Sequence, residues 1–175
     1  MDAMDAILGR RSIREYTARK IDPPLIEKLL RAAMAAPSAG NQQPWRFVVI
    51  DDRAVLDAIP KLHPYAEMLK AAPLAVAVCG QVAGLKHPDY WVQDCAAATQ
   101  NLLVAAHALG LGAVWLGVYP DKPRVEAIAK LLGLPKGVVC HNVVAVGHPA
   151  ESKPPGNRFD PAHVHHNRWG NRPGR

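Results

Sequence analysis

Apolar positions recur along the chain with two different periods. After Pro23, residues Leu25, Ile26, Leu29, Leu30, Ala33 and Met34 follow the i, i+3, i+4 spacing of an amphipathic helix, opened by proline and stopped before Pro37. WRFVVI (Trp45 to Ile50) is β-rich, and LAVAVCG (Leu74 to Gly80) is a continuous apolar run, too uniform for a strand with one face in water. GAVWLGV (Gly112 to Val118) and VVCHNVVAVG (Val138 to Gly147) read as two further strands. The pattern predicts helices from Asp52 to Ile59, near Tyr65 to Ala71, and over PRVEAIAKLLG, which closes at Gly133. The longest helix runs from Trp91 to Gly110 and is apolar over most of its circumference, so it belongs at the centre of the fold or in a subunit interface. Residues 2 to 9 predict a short helix with Ile7 and Leu8 turned inward.

Strands that alternate with helices imply an α/β or α+β sheet layered with helices. From His148 onward the periodicity collapses into a stretch with five prolines and four histidines. There is no internal repeat and no second domain, so residues 1–175 form one domain with 148–175 as an extended tail.

At 175 residues and 49% apolar content the chain can bury a real core. No run of about 18 uncharged apolar residues is present, and two aspartates among the first five positions do not suit a secretory signal. Cys79, Cys95 and Cys140 lack C-x-x-C spacing and sit among small apolar neighbours, as reduced, buried, inert thiols do. Together these predict a cytoplasmic, disulfide-free protein.

The net charge of +6 raises nucleic acid as a partner until the charges are mapped. Residues 151–175 carry five Lys/Arg against two acids and residues 1–20 carry five against three, while the middle is nearly balanced. Only 6% of residues are aromatic. Basicity gathered at the two ends, without interleaved aromatics, argues against a nucleic-acid groove.

RRSIREY, Arg10 to Tyr16, places three arginines within five positions. Such a run is either a solvated helix end or the holder of an anion, most economically a phosphate; composition leaves both open. PSAGNQQPW, Pro37 to Trp45, is rich in small residues and amides, with Gly40 to relieve strain. It is either a helix cap followed by a tight turn or a loop that brings backbone N–H groups and the Asn41 amide against a planar polar ligand. LGLGAVWLG imitates a dinucleotide fingerprint, but its glycines have the spacing G-x-G-x-x-x-x-G and open a strand, which excludes a Rossmann site. His163, His165 and His166 lack an accompanying Cys or carboxylate pattern, so no metal is expected.

Taken in order, RRSIREY, PSAGNQQPW, the glycine-rich strand GLGAVWLG and the basic tail with N-R-F-D resemble the nitroreductase family of flavin oxidoreductases over essentially the whole chain. The resemblance implies an α+β fold with a central, mostly antiparallel sheet flanked by helices, forming an intertwined homodimer with two FMN sites at its interface. Arg10, Arg11, Ser12 and Arg14 match the R-x-S-x-[RK] motif, in which the first Arg and the Ser serve phosphate and ribityl oxygens and the last cation lies near the flavin N1/O2 edge. Pro37, Ser38, Ala39 and Asn41 match the loop that the other subunit lays over the flavin. Leu116 and Gly117 match a strand end whose backbone faces N5 and O4, and Arg158 matches a tail cation on the phosphate. The tail is expected to pack on the partner with Trp169 as anchor, and Trp45 and Trp115 to serve core and interface packing. Where larger members place an Asn and a Lys against the ring, this chain has LHPYAEMLKAA, which matches neither.

The function this implies is FMN-dependent reduction of a nitroaromatic, quinone or similar electron-poor small molecule, with NAD(P)H as the transient donor and hydride passing through flavin N5. No side-chain nucleophile or general base is needed, and no convincing triad is present. The alternative is a protein of the same fold that binds FMN or another ligand without turnover. Neither reading involves nucleic acid or a membrane.

Overall fold

A computed structural model describes residues 1–172. Four strands, β1 (Trp45–Ile50), β2 (Leu74–Gln81), β3 (Gly112–Gly117) and β4 (Val138–Gly147), form one antiparallel sheet in the order β1-β2-β4-β3. Five α-helices accompany it: α1 (Ala3–Gly9), α2 (Pro23–Met34), α3 (Arg53–Leu62), α4 (Trp91–Ala108) and α5 (Lys122–Leu132). Side chains of α2 and α4 cover one face of the sheet and those of α3 and α5 the other, giving the α+β arrangement expected.

Burial on both faces explains the uniform strand sequences. In β2, Leu74, Val76 and Val78 enter the α2–α4 core while Ala75, Ala77 and Cys79 enter the α3–α5 core, and all are sealed from solvent. The smaller residues let the second helical layer approach closely. Helix α4 is central, in contact with α1, α2 and all four strands. Trp91 at its start lies over Gly80, where a Cβ would stand only 2.4 Å from the indole ring. The three cysteines are free and fully buried, and burial pushes the Cys95 thiol up to about 12, which keeps it protonated and unreactive.

Aspartates start the helices as their chemistry favours: Asp52 accepts from Ala54 and Val55, and Asp121 accepts from Arg124. Three local expectations are corrected. Ile7 and Leu8 do not point inward; they are 51% and 62% exposed, because a two-turn helix docks on α4 through the small Ala6 and leaves its larger side chains on the far side. Met34 leaves the α2 stripe and is half exposed, while Leu29 and Ala33 carry the burial. The helix near Tyr65 to Ala71 is only a 3-10 turn, Glu67–Lys70.

The two ends of the chain are stitched together along the outer edge of β3. Ser12 forms a parallel bridge with Ala113, and Ile13 N–H donates to the Ala113 carbonyl at 3.1 Å. Further on, Tyr16 pairs with Pro149, Thr17 N–H donates to His148 O, and Ala150 N–H donates to Glu15 O. Glu151 accepts from the Arg14 N–H at 2.6 Å and from Lys153 Nζ at 2.8 Å, while Lys153 also donates to Ser12 O. This seam carries the segment after β4 back alongside the N-terminal arginines.

Candidate functional site

Arg10 and Arg158 are 148 positions apart and line one small cavity of about 160 Å³ with Ile7, Leu8, Gly156 and Phe159. Burial, and then the charge of Arg158, lower the pKa of Arg10 from its ordinary value. The Arg10 Nε is buried and has no hydrogen-bond partner among the described residues. A fold that draws two cations together and leaves a buried guanidinium N–H without an acceptor is prepared for an anion from outside the chain. Arg11 turns away from this pair and donates through Nη1 to the Pro154 carbonyl, tying the tail to the N-terminal run.

Four residues along the same run, Arg14 reaches a larger cavity of about 590 Å³, lined also by His63, Tyr65, Met68, Trp115, Gly117 and Arg124. An extended run of four residues spans at most about 13 Å, and Ser12, which bridges to Ala113, lies between the two arginines in the chain. Leu116 is buried beneath this cavity and Gly117 is partly open to it. Apart from Gly117 and its two chain neighbours, no atom of the described residues lies within 4 Å of the position a Gly117 Cβ would take. Nothing in the chain itself requires glycine there, and a glycine in a strand beside open space marks close approach by a ligand.

Above Gly117, two donors meet its carbonyl: His63 Nε2 at 2.8 Å and Arg124 Nη1 at 2.9 Å. His63 follows α3 and is 2% exposed, and burial is the leading cause of its lowered pKa. Arg124, in the first turn of α5, pairs with Asp121 at 3.0 Å, and its Nε is a second buried N–H without a partner among the described residues. Behind the strand, Asn142 lies opposite Gly117 and donates through Nδ2 to Thr99 Oγ1 at 2.8 Å. The adjacent His141 is packed edge-on against Trp91 and Trp115, and burial pushes its pKa down to about 4.

The Pro37–Trp45 loop lies on the other side of the molecule. It leads into β1, the opposite edge strand from β3, and none of Pro37, Ser38, Ala39 and Asn41 lines either cavity. The loop is held rigidly: Asp94 of α4, 4% exposed, accepts from Ala39 N–H at 2.9 Å and from Gln42 Nε2 at 2.9 Å. Gly40, Asn41 and Gln43 all adopt positive φ, and Pro37, Gly40 and Asn41 face solvent. Two non-glycine residues in this region amount to backbone strain, which persists only where the surroundings impose it.

The model of the nitroreductase family matches residues 7–65 and 61–148. The chain belongs to the nitroreductase family. A protein of Methanothermobacter thermautotrophicus that bears the name "Putative NADH dehydrogenase/NAD(P)H nitroreductase" is 49% identical over 97% of this chain and 88% of its own length. The solved structure of a similarly named Parabacteroides distasonis protein superimposes with a TM-score of 0.91 at 42% identity, covering 95% of this chain and 98% of that one. A Desulfovibrio desulfuricans nitroreductase solved in complex with FMN has a TM-score of 0.79 at 33% identity, covering 93% of this chain and 94% of its own.

In this member of the family the residues singled out by motif, Arg11 and Ser12 apart, fall into three places. Arg10 and Arg158 meet in the small cavity, Arg14 and Gly117 line the large one with Leu116 beneath, and the Pro37–Asn41 loop stands apart from both. Trp45 is core, whereas Trp115 is half-buried and lines the large cavity. Motif reading missed His63, Tyr65, Arg124 and Asp94. The first three converge only because the ends of α3 and β3 and the start of α5 meet, and Asp94 is an acid concealed in an otherwise apolar helix. The sequence signal for His63 was present but silent: a histidine directly before proline, where α3 must stop. Among the described residues no cluster of metal-binding side chains is found, and no helix is long and apolar enough to cross a membrane.

Proposed function

We propose that this nitroreductase is an FMN-dependent oxidoreductase that takes reducing equivalents from NAD(P)H and delivers them to a nitroaromatic, a quinone or a similar electron-poor small molecule. The observation that carries the reading is the Arg10–Arg158 pair, two cations gathered from opposite ends of the chain around a buried N–H that lacks an acceptor. A flavin phosphate supplies that acceptor, and Ser12 follows along the ribityl chain. The open space over Gly117 fits a flat ring, with Arg14 at its N1/O2 edge and the Leu116–Gly117 backbone toward N5 and O4. When bound, FMN supplies the hydride chemistry at N5, first accepting from the nicotinamide and then donating to the acceptor in a ping-pong cycle. The chain's own residues bind and orient; Arg14 stabilises the negative charge that reduction places at N1/O2.

A homodimer follows from the same reading. The rigid Pro37–Asn41 loop lines neither cavity of its own chain, and in this reading it covers the ring held by a partner. The exposed Ile7, Leu8, Phe159 and Trp169 offer the partner apolar surface, with the 148–175 tail packing across the interface. Residues 173–175 of that tail lie outside the described residues.

The decisive experiment is a visible spectrum of the purified protein followed by reconstitution. The expected result is a yellow protein that releases FMN and not FAD on denaturation, oxidises NAD(P)H when given a quinone or nitro compound, and sediments as a dimer. A colourless protein that cannot be loaded with FMN sinks the reading; a loaded protein that NAD(P)H does not reduce sinks its catalytic half. A monomer that still holds flavin contradicts the role given to the loop.

A further inference from the structure

We propose that His63, assisted by Arg124, is a positioning residue that fixes the backbone of Gly117 and so aims its N–H at the place where the flavin ring would lie. The inference rests on the proposed FMN site.

Gly117 sits where the regular ladder ends. It is the last residue of β3 and has no side chain to pack. Beyond it the ladder loses its regular spacing, because Val118 N–H and Tyr119 N–H both donate to the single carbonyl of His141. Along a strand, backbone groups alternate between the two edges from residue to residue. The Ala113 carbonyl points to the outer edge, where it accepts from Ile13, and Gly117 is four residues on, so its N–H and carbonyl share that edge. Val118 fits the same alternation, since its N–H points back toward β4. The Gly117 carbonyl and N–H belong to adjacent peptide planes that meet at the Gly117 Cα, so holding the carbonyl limits the rotation there that would turn the N–H away from the cavity that Gly117 and Arg14 both line.

Two fixed donors do this. Tyr65 N–H donates to His63 Nδ1 at 3.2 Å, so Nδ1 carries the lone pair and Nε2 carries the hydrogen. The neutral ring then donates from Nε2 to Gly117 O at 2.8 Å. Burial of His63 favours this uncharged form. The second donor is equally anchored: Arg124 Nη1 reaches the same oxygen at 2.9 Å, while its Nη2 is paired with Asp121 and Asp121 caps α5. One carbonyl oxygen thus joins the end of α3, the start of α5 and the end of β3. A hydrogen bond to flavin N5 is directional, and small displacements of a donor near the reacting atom are felt strongly in rate.

The test compares His63→Leu, which removes the donor, with His63→Gln, whose amide N–H reaches a comparable position. In apoprotein labelled with 15N-glycine and 15N-histidine, the wild type should show the Nε2–H tautomer of His63 at neutral pH. His63→Leu should raise the exchange rate of the Gly117 amide several-fold, and His63→Gln should restore it. In the FMN-loaded protein, His63→Leu should slow flavin reduction by NAD(P)H about tenfold or more, with KM for the acceptor and FMN affinity within about threefold of wild type, and Gln should recover most of the rate. If the Leu variant does not fold, the wild-type tautomer and the Gln variant still decide. A His63 that is Nδ1-protonated or cationic at pH 7, or a Gly117 amide unmoved by losing the donor, overturns the clamp even when the protein is yellow and active. A protein that binds no FMN sinks the proposed function while the apoprotein spectra still report on the clamp.

Discussion

Replacing Arg158 with alanine should move the stability of the protein and its affinity for FMN in opposite directions. In the apoprotein Arg158 acts on Arg10 as a like charge, one of the two causes of its lowered pKa, so its removal relieves repulsion. Arg158 is exposed, so screening limits that relief to about 0.5 kcal/mol, or roughly 1–2 °C in Tm for a chain of this size. In the proposed FMN complex the same side chain would make a charge-assisted contact to the phosphate, worth about 1.5–3 kcal/mol. Exposure favours the lower end, and about 1.5 kcal/mol corresponds to roughly a tenfold rise in Kd. Calorimetric melting of the apoprotein and titration of FMN fluorescence measure the two effects separately. Salt provides an internal control: 1 M NaCl should raise the apo Tm of the wild type toward that of the variant, because it shortens the screening length to about 3 Å. A variant whose apoprotein is clearly less stable and whose FMN affinity changes less than twofold would show Arg158 to be a packing residue, and the two-cation argument would fail.

Gly117→Ala should leave the apo Tm within about 2 °C, since no neighbour lies within 4 Å of the new methyl, yet weaken FMN at least about tenfold by filling space meant for the ring, as read by equilibrium titration. Arg14→Ala should make bound FMN harder to reduce by some tens of millivolts, because about 30 mV corresponds to 1.4 kcal/mol for a two-electron couple; Arg14→Lys should be milder, and an unchanged midpoint potential would mark Arg14 as a solvated cation. His141, with a folded pKa of about 4 against an ordinary 6.5, binds its proton more readily when unfolded, so stability should fall as pH drops from about 6.5 to about 4 and level off below. That contribution is roughly 2–3 kcal/mol, and a His141→Gln protein whose urea midpoint keeps the wild-type slope between pH 7 and 5 would assign the pH dependence elsewhere.

The strands were the most legible part of the chain. β1 and β4 begin and end where their apolar runs do, and β2 differs by one residue; β2, sealed on both faces, needs an apolar side chain at almost every position and declares itself as a block, whereas the edge strand β1 tolerates an exposed Arg46. Short helices were less legible. In α1 the inward side chain is Ala6, and seven residues hold too few turns for periodicity to separate it from the bulkier Ile7 and Leu8. Arg10 and Arg158 could be named from motifs, but their meeting depends on the seam from Ser12 to Ala150, whose backbone hydrogen bonds leave no trace in side-chain pattern. His63 and Arg124 were unreadable for a related reason: their common target is a backbone oxygen, which is the same in every residue.

That seam also has a consequence for how the protein takes up its cofactor. All four strands lie before residue 148, whereas the second cation of the proposed phosphate site is residue 158, an exposed residue that belongs to neither core. The sheet and both cores can therefore form without a ligand, and cofactor capture joins two ends already brought together by backbone hydrogen bonds. The loop that the ligand closes spans nearly the whole chain, yet little chain entropy is left to lose at that step. A cell short of flavin would accordingly accumulate a folded, colourless form able to load its cofactor without being synthesised anew.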